Sequence, residues 1–550
     1  MNKKRILLVN EASYLNTGYA NYGLEVMRRL FLTKKYELAE LACYVGQEDE
    51  RNSSIPWKFY PNLPSTSEER GRYQQYSEHE FGAFRFEEVC LDFKPDMVWS
   101  IRDTWMDSHI IKSWFRKFFH YTYMPTVDAT PQQDGWIDQF MQANAIFTYT
   151  DWSMNLLKKQ TNNKICVISA ASPGISVNEL PLVQDKAGLR KTMGIPVDAF
   201  IIGTVMRNQK RKLYPNLIEA FKELLTTISP EQQKKTFLYF HVSYPDLGWD
   251  IPRLIKDSGI SNKIYFTYVC KACKRWFCSK WQDARSICVH CQNPAAVTPN
   301  TQYGLSRIDM HHMYSLFDLY VQYANSEGFG MPQVDAAAAG IPICSVNYSA
   351  MEDVVKKLDG IAINVKHLIR EPETNCLRAT PDDSDFANKV KRFMFLPESI
   401  RKTKGIKTRK LVEKHFSWDN TAKIWEKHFD SIDVKSHDIT WNSPVRFHYQ
   451  NLQCAQNLNN EQFVQWALTN IAGRPDLINT YFALQMVRDL NWTATLDMNG
   501  PHYLGENSLF GNVKKLKDFN RNTVVEICTN MCNHRNYWEQ RREQCVLSQL

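Results

Sequence analysis

Short apolar runs alternate along this chain with segments whose apolar residues recur at helical spacing. The first run, Arg5–Ile6–Leu7–Leu8–Val9–Asn10, suits a strand buried on both faces of a parallel sheet. A polar, glycine-containing loop, EASYLNTGYANYG, follows it, and LEVMRRLFL then reads as a helix. The pattern recurs at Lys94–Trp99, at FFHYTYMPTVDA (118–129) and at AIFTYTDWSMNLLKK (145–159), where Thr150 or Asp151 caps a helix. KICVISAASPGI (164–175) is a strand running into a Pro-Gly turn. A second series starts near Asp198: AFIIGTVMRN, the helix YPNLIEAFKELL with Pro215 in its first turn, TFLYFHVSY, NKIYFTYV, MHHMYSLFDLYVQYA and ICSV. Strands alternating with helices predict an α/β chain with two doubly wound, Rossmann-like units. Residues 434–446 are polar and carry Pro444, as a linker would. Residues 447–550 contain two helical patterns and form a mainly helical accessory module.

Composition narrows this picture only slightly. Hydrophobic residues make up 43% of the 550, enough for real cores and too many for a disordered chain. The net charge of +8 permits a polyanionic partner without demanding one. No apolar run approaches the roughly 18 residues of a membrane span. The apolar run Ile6–Val9 is too short for a signal peptide core. The 14 cysteines are scattered apart from one cluster and fit reduced thiols in a cytoplasmic protein.

The densest chemistry lies in NSEGFGMPQVDAAAAGIP, residues 325–342, where Glu327 and Asp335 stand eight positions apart. Pro332 fits the first turn of a helix. Free N–H groups from Gly328 onward would then converge on one spot and, with the helix dipole, seat a diphosphate. The carboxylates are acceptor-only groups suited to sugar and ribose diols.

EGFGMPQVDAAAAGIP resembles the signature of GT-B glycosyltransferases of the family 4 type (glycosyl transferases group 1), in which two glutamates flank seven residues. Glu327 matches the first; Asp335 replaces the second and is one methylene shorter. GTVMRNQKRKLYPNLIEAF places Arg207 and Lys212 in the register of that family's basic pair, whose task would be to neutralise the leaving diphosphate. ISAASPGISVNEL, with Gly174, resembles the interdomain turn. TDWSMNLLKK resembles the helix after the sixth strand, and HFSWDNTAKIWEKHF (415–429) the terminal helix that crosses back to the N-terminal domain. PTVDATP offers Asp128 where many members carry histidine, and Gly18 in NTGYANYG resembles the loop over the donor phosphate.

The resemblance spans roughly residues 1–430. It implies two Rossmann-like domains facing a cleft: 1–180 on the acceptor side and 181–415 for the nucleotide sugar, with a helix over 416–433 returning to the first. It also implies transfer of a hexosyl group from a UDP- or GDP-sugar with retention of configuration and without a catalytic metal. The catalytic set would be Asp128, Arg207, Lys212 and Glu327. The donor set would be Gly18, Arg207, Lys212, Glu327, Gly328, Phe329, Gly330, Met331 and Asp335.

One insertion departs from that pattern. YVCKACKRWFCSKWQDARSICVHCQNP holds Cys270-x2-Cys273 and Cys288-x2-Cys291, the spacing of a four-cysteine structural zinc ribbon, over about 268–300. Cys278 and His290 are spare ligands. Lys271, Lys274, Arg275, Lys280 and Arg285 interleave with Trp276, Phe277 and Trp281. Such a mixture either forms a small core under a solvated charged face or contacts phosphates and stacks on bases. The second reading makes DNA with a modified base, as used by bacteriophage glycosyltransferases, an acceptor class beside glycans; a phage-encoded enzyme would work in the host cytoplasm. The rival functions are a sugar-nucleotide epimerase of the same fold and a catalytically inactive nucleic-acid-binding protein.

Overall fold

The structure is a computed structural model, and it describes residues 3–434 apart from 114, 283–285 and 301. The expected linker, the accessory module and Arg285 therefore lie outside the described residues. By the contacts they make, the described residues form two units. One holds the chain up to Pro125, Asp138–Ile146 and the stretch from Glu426; the other holds Thr126–Ile137 and Phe147–Trp425.

In the first unit β1 (Lys4–Glu11), β2 (Tyr36–Cys43), β3 (Lys58–Pro61), β4 (Met97–Ser100), β5 (His120–Tyr123) and β6 (Ala145–Thr148) lie in the order β3-β2-β1-β4-β5-β6. Every pairing among them is parallel. The order reverses between β1 and β4, which is where open α/β sheets bind ligands. The helix after β1 spans Gly18–Thr33, with Thr17 as its N-cap accepting from the Ala20 N–H. Helix thus begins inside the stretch expected as loop, because Thr17 supplies the cap that the apolar pattern alone does not reveal. β2 was not expected either. Its sequence, YELAELAC, carries Glu40, which is wholly buried. Burial is tolerated because Ser13 donates N–H and O–H to the Glu40 carboxylate and Trp57 donates its indole N–H.

In the second unit β7 (Val167–Ala170) follows the helix Asp151–Gln160; of the two expected caps, Thr150 is the one that serves. The main sheet there comprises β8 (Phe200–Val205), β9 (Thr236–His241), β10 (Ile264–Cys270), β11 (Trp276–Lys280), β12 (Ala296–Val297), β13 (Leu319–Gln322), β14 (Ile343–Val346) and β15 (Ile361–Ile363). Its order is β11-β10-β9-β8-β13-β14-β15, with β12 on β10, and it reverses between β8 and β13. The helix Tyr214–Thr226 packs Leu217, Ile218, Phe221 and Leu224 into the core beside Ile202, Leu238 and Phe266. A separate antiparallel hairpin, β16 (Val365–Arg370) with β17 (Leu377–Pro381), follows the sheet.

The helix Trp418–Ser431 is shared by the two groupings. Trp418 and Trp425 are buried in the second unit, Trp425 against Phe147 with ring centroids 4.3 Å apart. In the first unit Phe429 meets Tyr36 and Trp99. Gly174 sits where a Cβ would come 2.2 Å from the Trp418 backbone nitrogen, so only glycine lets the turn pass this helix start.

Candidate functional site

The loops leaving β8 and β13 meet at the point of strand reversal, at the carboxyl ends of both strands. From β8 the chain runs Met206–Leu213 into the helix Tyr214–Thr226. From β13 it runs through Asn325–Gly330 into the helix Met331–Ala338. Two backbone bonds tie these loops together: Leu213 N–H to Tyr323 O at 3.0 Å, and Asn325 N–H to Arg211 O at 2.9 Å.

Glu327 is the centre of the site and is buried. One carboxylate oxygen accepts from Lys212 Nζ and, at 2.5 Å, from Gln322 Nε2. The other accepts from Arg211 Nη1 at 2.7 Å. The Glu327 N–H donates to Ser349 Oγ at 3.0 Å. Burial alone would raise the carboxyl, but Lys212 and Arg211 outweigh it and hold Glu327 down to about 2. Burial holds the Lys212 ammonium below its ordinary value, although Glu327 pulls the other way.

This arrangement fixes a pH dependence. The folded-state value of Glu327 lies below its ordinary 4.5, so its stabilising contribution is complete above pH 4.5 and is lost as pH falls toward 2. Urea unfolding between pH 5 and 2.5 should therefore show a shallower loss of stability in Glu327→Gln than in the native chain. The difference should be at most about 3 kcal/mol across the window, and parallel curves would refute this role for Glu327.

Gly330 is the N-cap of the helix Met331–Ala338, at φ +84°, with Pro332 in the first turn as the sequence predicts. A side chain there would be strained by that φ, and its Cβ would stand 2.4 Å from Gln333 Nε2. Gln333 is fully buried and donates weakly to Phe329 O and Gly330 O. Gly328 and Met331 complete the turn, and Phe329 packs beneath it against Phe416. Asp335 lies in the next helical turn. Burial raises its carboxyl to about 7, with Arg307 opposing.

The remaining candidates are placed unevenly. Asp128 comes close: Ser326, next to Glu327, donates to it at 3.2 Å, and Arg378 pairs with it at 2.8 Å. Arg207 stands apart from Glu327, largely exposed, in a two-pronged pair with Asp246 at 2.9 and 3.1 Å. Gly18 lies in the first unit, exposed at the start of its helix. The sequence reading missed Arg211, Gln322, Ser349 and Arg378. Arg211 was hidden in the basic run RNQKRK, and Arg378 in an alternation, LRATP, too short to read as a strand.

The sulfur atoms of Cys270, Cys273, Cys288 and Cys291 all lie within 4.8 Å of one another. Cys270–Cys291 and Cys273–Cys288 stand 3.6 and 3.7 Å apart, too far for disulfides. A tetrahedron of metal–sulfur bonds of about 2.3 Å has edges of about 3.8 Å, so the four thiols fit a metal ion. Cys273 N–H points at Cys270 Sγ and His290 N–H at Cys288 Sγ, as in metal-binding knuckles. The spare ligands are engaged elsewhere: Cys278 bonds Met193 O and His290 Nε2 bonds Trp276 O. The first knuckle is the turn between β10 and β11, so the insertion extends the main sheet. Trp276 and Phe277 are buried, and Trp281 packs on Phe266. The rings expected as base-stacking candidates are core.

Residues 300–404, which span the Glu327 loop, match the family model described as glycosyl transferases group 1. No curated protein matches the chain. Among solved structures it is similar to sucrose-phosphate synthase from Thermosynechococcus elongatus, at 12% identity and a TM-score of 0.54, covering 78% of this chain and 100% of that one. It is also similar to the Anabaena protein Alr3699/HepE in complex with UDP and glucose, at 12% identity and TM-score 0.51, again over 78% and 100%. A third is a structure titled as trehalose-6-phosphate from E. coli bound with UDP-2-fluoro glucose, at the same identity, TM-score and coverage. The chain thus has a GT-B-like fold of two α/β units and carries a group 1 glycosyl transferase match over its candidate site. No helix among the described residues is long and apolar enough to cross a membrane.

Proposed function

We propose that this protein transfers a hexosyl group from a nucleotide sugar to an acceptor, with retention of configuration. The buried Glu327–Lys212 pair at the start of the helix Met331–Ala338 carries this reading. Glu327 and the turn Gly328–Met331 hold the sugar and seat the diphosphate, Asp335 takes the ribose, and Lys212 offsets charge on the leaving group. Arg207, itself exposed and paired with a single aspartate, is the second cation and exchanges Asp246 for a phosphate oxygen. Gly18 serves the donor from its own unit. UDP-sugars are the first donors to test, because two of the similar structures contain UDP or a UDP-sugar.

The acceptor is a glycan rather than DNA. Of the insertion's rings, Trp276 and Phe277 are buried and Trp281 is half-buried against Phe266. In the first unit, by contrast, Trp105 and Tyr44 are exposed on either side of Phe81, after β4 and β2. Asp103 follows the end of β4 in the same unit. Aromatic faces beside carboxylates suit a polyol and repel a polyanion. The four cysteines hold a structural zinc: they fill a tetrahedron and leave no open position for substrate.

Thermal shift against UDP- and GDP-sugars, followed by transfer assays with glycan and DNA acceptors, tests this reading. One sugar nucleotide should raise the melting point and be consumed with a glycan. Consumption with DNA alone would overturn the acceptor class. Release of an epimerised or free sugar regardless of acceptor would overturn transfer itself.

A further inference from the structure

The segment Thr126–Ile137 follows β5 of the first unit in the chain, yet it groups with the second unit. The hairpin β16–β17 is what it touches there. Leu377 N–H donates to Thr130 O at 2.7 Å, forming an isolated antiparallel bridge. Cys376 Sγ donates to Pro131 O at 3.0 Å, and Gln133 Nε2 to Thr374 O at 2.9 Å. The same outer edge of β17 also grips the pocket loop, with Ala379 N–H donating to Asn325 O at 3.0 Å. Tyr348 O–H donates to Leu377 O at 2.6 Å from beyond β14.

Arg378 stands at the middle of this bracket. Its side chain is 12% exposed. Nη1 donates to Asp128 at 2.8 Å and to Ser326 Oγ at 2.6 Å, so a single nitrogen joins the captured segment to the residue before Glu327. Nε and Nη2 both donate to Glu371 at 3.0 and 2.8 Å, which fixes the guanidinium plane from behind. A planar, always-charged fork held this way sets the direction of whatever carboxylate it meets. On the opposite side of the loop, a Cβ on Gly328 would come 2.5 Å from Thr126 Cγ2, so the segment is in direct contact with the pocket turn.

We propose that the hairpin Val365–Pro381 is a bracket that holds Thr126–Ile137 on the Glu327 pocket, and that Arg378 is a positioning residue that aims Asp128 at the reacting sugar. The second clause rests on the reading in which Asp128 faces that sugar; the first stands without it. Arg378 does no chemistry itself: its proton stays in place throughout, and Glu371 supplies the counter-charge that keeps it from turning toward a substrate phosphate.

Hydrogen exchange on the full chain, without ligand, tests the bracket. In Arg378→Ala, amides of residues 126–133 should exchange about tenfold faster, while those of the helix Tyr214–Thr226 keep their native rates. Glu371→Gln, a milder change that leaves every backbone bond in place, should speed the same peptide to a smaller degree. Unchanged exchange at 126–133 in both variants would overturn the proposal. General acceleration in Arg378→Ala would mean unfolding, and Glu371→Gln then decides.

Positioning is read from kinetics, on UDP-glucose or the donor returned by the thermal-shift screen. Arg378→Ala should lower kcat about tenfold with donor KM within about twofold, and Arg378→Lys should recover part of kcat. Equal loss in KM, or no recovery with lysine, would overturn the positioning role. If Asp128→Asn leaves transfer intact while exchange still rises in Arg378→Ala, the catalytic assignment of Asp128 fails and the bracket stands.

Discussion

Glu327→Ala is expected to abolish transfer and to destabilise the chain by about 3–5 kcal/mol, the usual cost of breaking a buried ion pair from one side. The carboxylate takes donors from Lys212, Arg211 and Gln322 at once. Its removal leaves the Lys212 ammonium buried without its partner carboxylate, and opens the sugar side of the pocket. The double variant Glu327→Ala/Lys212→Met separates the two effects. With both charges gone, most of the lost stability should return, since a buried pair replaced by apolar groups costs little. Transfer should not return, because neither the sugar contact nor the leaving-group cation is restored. Urea denaturation gives the first quantity and donor turnover the second. Turnover of Glu327→Ala within about tenfold of native would remove Glu327 from the catalytic set.

Stripping metal from the four-cysteine cluster is expected to lower the melting temperature by on the order of 10 °C. Structural zinc contributes its binding free energy to folding, and each kcal/mol moves a domain of this size by about 2–4 °C. Metal analysis should return one zinc per chain. Cys288→Ser should reproduce the effect of a chelator, because Cys288 is fully buried and its sulfur stands 3.7 Å from that of Cys273. A chain with well under one zinc whose melting point ignores chelators would refute the site. Transfer per folded molecule should be nearly unaffected, since no cysteine of the cluster touches the Glu327 network among the described residues.

The elements legible in the sequence were those whose apolar pattern is dictated by burial on both faces. β1, β8, β13 and β14 are such strands. The turn NSEGFGMP was legible for a different reason: a left-handed glycine and a proline in the first helical turn answer to local backbone geometry, and an acid stands beside them. β2 was lost because Glu40 interrupts its apolar run, and only Ser13 and Trp57, distant in sequence, make that acid tolerable. β16 leaves its apolar Leu368 and Ile369 exposed, and β17 alternates over only five residues, so neither shows a pattern long enough to read. The pocket's cations divided in a way spacing could not reveal. Lys212 pairs with Glu327, whereas Arg207 faces Asp246 and Arg211, four residues on, supplies the second contact. Which of several basic residues in one short loop turns inward depends on how Asn208 pins that loop to Trp249, a contact across 41 residues.

β11, the outermost strand of the second sheet, is also one arm of the cysteine hairpin. A metal held there would do more than staple a surface loop: it would guard a sheet border. If the knuckle opens, β11 is free to peel from β10, and a row of unpaired backbone groups flanked by Phe266 and Tyr268 becomes a template for pairing with another chain. Zinc scarcity during synthesis would then be felt as insolubility before it was felt as lost turnover, and metal supply would govern the yield of this protein more than its rate.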